Sequence, residues 1–222
     1  MLGLFRKEIF DLGETQKIDL STPLDKASYV VMDTELTGLD FRTDSIVSVG
    51  ALRMVGTRIE VNRPFYEVVK PKTVLTSRSI VVHEITPSET EKKPGIEGIL
   101  QGFLDFCEGA MIVGHFISLD LRFLAKEMKR AGFGALKNRA VDTCVLHDWI
   151  SQQSDRFSSN YLGRMEGKDL FTLAKKYGVQ LRGAHNALMD AYVTAQLFQR
   201  FIFMLIRLGV RTLRDLLSIG KP

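Results

Sequence analysis

The stretch Tyr29-Val30-Val31-Met32-Asp33-Thr34-Glu35-Leu36-Thr37-Gly38-Leu39 constrains this chain more than any other. Its apolar opening, Tyr29 to Met32, predicts a buried strand that ends in two carboxylates one residue apart. In extended backbone, side chains at i and i+2 project to one face, so Asp33 and Glu35 converge as the strand ends. Gly38 then lets the chain turn away. Adjacent buried carboxylates are costly unless a cation compensates them, and hard divalent ions take oxygen ligands of this kind. Solvated acids in a loop would need no cation. This stretch alone does not separate the two readings.

The bulk properties leave both open. At 222 residues, 45% of them hydrophobic and 25% charged, the chain fits one globular α/β domain with terminal extensions. A net charge of +4 and a pI near 9.1 permit a polyanionic partner without requiring one. Cys107 and Cys144 form no CxxC pair and read as packed, reduced thiols, which suits a cytoplasmic protein. Arg6, Lys7, Glu8 and Asp11 interrupt the N-terminus, so no signal core is expected. The longest apolar run, Phe201 to Ile206, is far below the roughly 18 residues of a membrane span, and no membrane partner is expected.

Along the chain, residues 1–27 read as an arm with a short amphipathic helix over Leu2 to Phe10. Ser45–Val55 and Arg58–Val69 are β-rich and flank Gly56-Thr57, which predicts three antiparallel strands in succession. A loop-like segment follows around His83 and Ser88 to Pro94. Ile96 to Glu108 has helical spacing, and Met111 to Val113 reads as a fourth strand. Ser118 is the expected N-cap of a helix to Arg130, with Asp120 in its first turn and Lys126 outside. Ala140 to Thr143 suits a last strand, then a helix over Leu146–Ile150 and a polar loop over Ser151–Lys168. Helices are expected at Asp169–Tyr177, Asn186–Leu208 and 211–218. The organisation expected is an arm (1–27), one domain (28–210) and a short C-terminal helix and tail (211–222).

The last constellation is His185-Asn186-Ala187-Leu188-Met189-Asp190. Five residues apart is about 140° around a helix, so His185 and Asp190 share a site only if His185 precedes the first turn. With this segment the chain resembles the DEDD exonuclease superfamily in its histidine-containing branch, and most of all the proofreading (epsilon) subunits of bacterial DNA polymerase III. Asp33-Thr34-Glu35 with Thr37-Gly38-Leu39 resembles the first motif, Gly114-His115 with Leu119-Asp120 the second, and His185, Ala187 and Asp190 the third. His83, Ile85 and Thr86 resemble the H-x-I-T element between the first two. Three motifs in order are far more specific than any one of them, and the match spans residues 28 to 205.

The resemblance implies a ribonuclease H-like α/β fold, with a mixed central sheet of three antiparallel strands then parallel ones, flanked by helices. It implies a metal-dependent 3′–5′ exonuclease that releases nucleoside 5′-monophosphates from single-stranded nucleic acid, DNA preferred. Asp33, Glu35, Asp120 and Asp190 would hold two magnesium or manganese ions, with Asp33 shared between them, and His185 would act as general base. Thr34, Leu36, Thr37, His83, Thr86 and Phe116 would contact the substrate. A single-stranded 3′ end is the implied partner, and a DNA polymerase subunit is compatible with it.

Two positions depart from the family pattern. Leu36 replaces a threonine common in the polymerase type and is closer to the oligoribonuclease branch, so an exoribonuclease stays open. Phe116 stands where the second motif has asparagine. It is expected in the core, with base stacking as the other reading. A non-catalytic nucleic-acid-binding subunit is the remaining alternative, although it would have no need of four acids and a histidine.

Overall fold

A computed structural model describes residues 18–155, 167–180 and 186–222. The expected N-terminal helix, most of the 151–168 loop and His185 lie outside these described residues. The strands and helices run in the order β1 (Ser28–Leu36), β2 (Ile46–Val55), β3 (Arg58–Val68), α1 (Ser77–His83), α2 (Pro87–Thr90), α3 (Leu100–Phe106), β4 (Met111–Gly114), α4 (Ser118–Arg130), β5 (Ala140–Asp142), α5 (Thr143–Asp155), α6 (Leu170–Lys176), α7 (Ala187–Arg207) and α8 (Leu213–Gly220).

The five strands form one mixed sheet in the order β3-β2-β1-β4-β5. The first three pair antiparallel, while β4 pairs parallel to β1 and β5 parallel to β4. This is the ribonuclease H-like α/β arrangement expected. The turn between β2 and β3 needs Gly56, which sits at φ 56° with its α-carbon against the Asp25 carbonyl.

Alternation along β1 divides the core into two layers. Tyr29 and Val31 pack with Val193, Leu197, Phe198 and Phe201 of α7, together with Leu213 and Leu216 of α8. Val30 and Met32 face the other way, onto Phe103 of α3 and Leu121, Leu124 and Met128 of α4. Full burial of each such side chain stabilises by about 1.5–3 kcal/mol, so slipping β1 by one residue would exchange the whole set between layers. Tyr29 also anchors the preceding segment, donating its hydroxyl to the Leu24 carbonyl at 3.0 Å and meeting Phe198 edge-on.

Several local expectations fail for identifiable reasons. The segment read as a loop carries two short helices, α1 and α2, too brief for an apolar period to show. The helix expected over Ile96–Glu108 is a 3-10 turn (Ile96–Gly98) followed by α3. Helix α5 starts at Thr143 and runs to Asp155, beyond the break expected after Ile150. The N-cap of α4 is Ile117 rather than Ser118, and the Asp142 carboxylate accepts the Phe116 and Ile117 amides instead (3.2 and 3.0 Å). Lys126 is not an outer residue; its ammonium donates to the Asp44 carbonyl and pins the β1–β2 loop to α4.

Helix α7 lies against the sheet with Ala187, Ala191 and Ala195, spaced four apart, all fully buried on one stripe. Its first turn sits directly on Gly50 of β2, where an added β-carbon would collide with the Ala187 carbonyl group and the Leu188 amide. Gly50 is the partner of Asp33 in the β1–β2 register. We expect Gly50→Ala to lower stability by about 1–3 kcal/mol, the usual range for an overpacked core methyl. A urea midpoint equal to that of the native protein would show that α7 does not approach the sheet this closely.

Candidate functional site

Asp33 and Glu35 lie within β1, paired with Gly50 and Ser48, not in a loop after it. The strand therefore fixes both carboxylates on the α7 face, and the solvated-loop reading of these acids is excluded. Asp190 in the first turn of α7 descends on them from above. One carboxylate oxygen from each of Asp33, Glu35 and Asp190 can be chosen so that all three lie within 4.8 Å of one another.

Asp120 arrives from the opposite layer, in the first turn of α4. Thr34, whose side chain alternates to that face, donates its amide (3.0 Å) and its hydroxyl (2.5 Å) to one Asp120 oxygen. The adjacent charge of Asp120 reaches Asp33 across the strand. Helices from both layers thus place one acid each beside the pair on β1.

These acids disfavour one another's ionisation. Burial, then the charges of Asp120, Glu35 and Asp190, pushes the Asp33 carboxyl well above its ordinary value. Burial and the charges of Asp190 and Asp120 push Glu35 up to about 7. Asp120 is likewise pushed up to about 7 by burial, although the bonds from Thr34 oppose the shift. Converging carboxylate oxygens with unfavourable charge are the donor set that magnesium and manganese fit, since both take hard oxygen ligands.

A cleft of about 680 Å³ opens above the acids, with Arg78 and His83 on one wall and Phe116 and Leu119 on another. His83 is buried, 3% exposed, and its Nδ1 accepts the Ile85 amide at 3.1 Å, which leaves the ring proton on Nε2. Among the described residues, that Nε2 has no partner.

Phe116 is not in the core. It is 51% exposed, lines the cleft and holds φ at 53°, a left-handed backbone that costs a phenylalanine energy. The chain must turn sharply between Gly114 and α4, and Asp142 holds the two amides there, which throws the ring outward. Its edge rests on the His115 ring, 4.6 Å between centroids. His115 is held in turn, with Nε2 donating to the Lys168 carbonyl and Nδ1 facing the Thr143 hydroxyl, both at 2.8 Å.

The other expected contacts divide. Leu36 and Thr37 line the cleft, but the Thr37 hydroxyl bonds Asp44 (3.0 Å) and braces the β1–β2 loop. Both polar groups of Thr34 are engaged by Asp120. Thr86 is not on the cleft wall; it starts α2, with its amide and hydroxyl on the Glu89 carboxylate (2.7 and 2.6 Å). Sequence reasoning missed Asp142, although it follows an apolar run just as Asp33 does. It also missed Arg78, for which the sequence carries no signal, and it named Leu39, a rim residue 76% exposed, only as part of the first motif.

The sheet, the acid cluster and the cleft together suit a nuclease. A family model described as Exonuclease (RNase T) matches residues 30–198, and the chain belongs to that family. It is 30% identical over 201 residues to the PolC-type DNA polymerase III of Thermotoga petrophila, covering 90% of this chain and 14% of that protein. It is 33% identical to a DNA polymerase III subunit epsilon-like protein of Rhodobacter capsulatus, covering 89% of this chain and 27% of that one. The chain therefore spans a small part of each relative. Among solved structures, E. coli exonuclease I in complex with a dT13 oligonucleotide superimposes with a TM-score of 0.68 at 18% identity, over 83% of this chain and 43% of that one. Exonuclease X in complex with 5′ overhanging duplex DNA gives 0.62 at 22%, over 86% and 98%. At such identities these two establish the shared fold.

The raised carboxyls give a pH test. Each holds its proton more tightly folded than unfolded, so between the ordinary carboxylate range and about 7 unfolding releases protons. In chelator, we expect stability to fall as pH rises from about 5 to about 7.5 and to level off above. Asp33→Asn should flatten this slope, and manganese should reverse it by binding the ionised acids. Urea midpoints across the range measure the effect; a flat profile in chelator would mean the acids do not strain the fold.

Proposed function

We propose that this exonuclease domain hydrolyses phosphodiester bonds from the 3′ end of single-stranded nucleic acid, DNA preferred, releasing nucleoside 5′-monophosphates. The observation that carries the reading is the convergence of Asp33, Glu35 and Asp190 within 4.8 Å, with Asp33, Glu35 and Asp120 lining an open cleft. Asp33, Glu35, Asp120 and Asp190 would hold two magnesium or manganese ions. Bound, such ions lower the pKa of an attacking water and stabilise charge on the phosphate and the leaving oxygen.

The protein's own groups supply the rest. His185, next in sequence to the α7 cap, takes the proton from the attacking water, a task suited to imidazole near neutral pH. The Arg78 guanidinium and, once uncovered, the buried and partnerless Nε2–H of His83 offer donors to the terminal nucleotide and its phosphate. Leu39 and Phe116 present exposed apolar surface to bases, a sequence-tolerant contact suited to single strands. Apolar Leu36 on the cleft wall favours a second reading in which the strand is RNA. The names of the polymerase relatives support a proofreading role beside a DNA polymerase, and the buried thiols of Cys107 and Cys144 are compatible with a cytoplasmic setting. Among the described residues, no helix is long and apolar enough to cross a membrane.

Digestion of 5′-labelled DNA and RNA oligomers with magnesium or manganese tests this. The expected ladder shortens from the 3′ end, faster on DNA; a faster RNA ladder selects the second reading. Asp33→Ala should abolish hydrolysis at any magnesium concentration, while His185→Ala should lower turnover by roughly 10²–10⁴-fold and leave ion binding intact. Activity of Asp33→Ala above background would end the metal assignment.

Phe116→Asn separates stacking from packing. Asparagine tolerates positive φ better than phenylalanine, so the melting temperature should hold or rise. Single-strand affinity should weaken by about 1–3 kcal/mol, the usual worth of one aromatic stack. Unchanged affinity in a fluorescence-anisotropy titration would exclude the ring from the strand's path.

A further inference from the structure

Across the sheet, Asp33 of β1, Gly50 of β2 and Tyr66 of β3 form one register row. Residues directly opposite in antiparallel strands share a face, so the row presents a carboxylate, a gap and a phenol to α7. The first turn of α7 occupies the gap. Asn186, its N-cap, uses its side-chain oxygen to accept the Leu188 and Met189 amides, 3.0 and 3.4 Å. That fixes the orientation of the amide, and its Nδ2 donates to the Tyr66 hydroxyl at 2.9 Å. The Asn186 carbonyl meanwhile accepts the Asp190 amide at 2.9 Å. A short chain of bonds therefore runs from the edge strand to the backbone of an acidic ligand. Tyr66 is half-buried and shares the register row of Asp33; burial chiefly, with a smaller contribution from the Glu35 charge, pushes its phenol upward.

We propose that Tyr66 is a positioning residue for the divalent-ion site: through Asn186 it fixes the first turn of α7, and with it the place of Asp190 over Asp33 and Glu35. The glycine gap lets α7 come down on the sheet, but a gap does not choose where along it the helix stops. The Tyr66 hydroxyl supplies that stop. Helix burial alone leaves small shifts of a helix end inexpensive, whereas ion coordination does not tolerate them.

The inference rests on the reading of the acids as an ion site, and manganese titration by calorimetry tests it without measuring activity. Tyr66→Phe removes only the hydroxyl and should weaken manganese binding by about 3–10-fold, the scale of one lost net hydrogen bond. Its melting temperature in chelator should stay within a few degrees of native. Asn186→Ser keeps a capping oxygen but has no Nδ2, and should show the same loss. In an Asp190→Ala background, Tyr66→Phe should cost nothing further, because the ligand it places is gone. Native manganese affinity in both Tyr66→Phe and Asn186→Ser would overturn the proposal. So would a Tyr66→Phe loss that persists undiminished without Asp190. Failure of the native protein to bind manganese at all would instead overturn the ion-site reading itself, and the positioning role with it.

Discussion

Mutual repulsion among buried carboxylates is the constraint on which the rest of this structure depends. Asp33, Glu35, Asp120 and Asp190 come from three elements in two layers, and each raises or is raised by another. Without ions such a cluster opposes folding, so the surrounding structure must hold it together. It does so with a strand paired on both sides, with Thr34 donating twice to Asp120, and with an α7 end stopped against Gly50 and tied to Tyr66. Divalent cations, which take hard oxygen ligands, are the natural relief for that arrangement.

The site falls where the sheet changes character. β1 has an antiparallel neighbour in β2 and a parallel one in β4, with α3 and α4 packed on one face of it and α7 on the other. At the carboxyl end of β1 both layers stop short and their first turns face one another across the strand. Crevices at the carboxyl ends of strands are the usual ligand positions in α/β sheets, and here the crevice is floored by acids and rimmed by Leu39, Val82 and Phe116. Asp142 extends the same logic one strand further. It ends β5, holds the turn carrying Phe116 and caps the entry to α5 through the Cys144 amide at 2.8 Å.

Legibility in the sequence followed the length of the physical signal. The hairpin of β2 and β3 was readable because two β-rich runs flank a glycine that must turn left-handed. Helices α4 and α7 carry several turns of apolar period. Short α1 and α2 carry none, and the helical spacing from Ile96 does not distinguish a 3-10 first turn from an α-helical one. Capping was misread at Ser118 because the acceptor that serves those amides lies on β5, more than twenty residues away. Phe116 was placed in the core on its side-chain type, whereas the backbone geometry of its turn decides its exposure.

The residue types in the sequence by themselves determined that acids at positions 33 and 35 share a face, that acids open two helices, and that the chain resembles an exonuclease. Period-two alternation and first-turn placement are local properties, so no contact beyond a few residues was needed to read them. Only the tertiary structure decided which oxygens converge, that the polar groups of Thr34 on the cleft wall donate to Asp120, and that Thr86 caps α2 away from that wall. It alone also showed why Gly50 and Tyr66 matter. Their roles exist only across the register of three strands and a helix that arrives more than a hundred residues later, and no local pattern encodes a contact of that range.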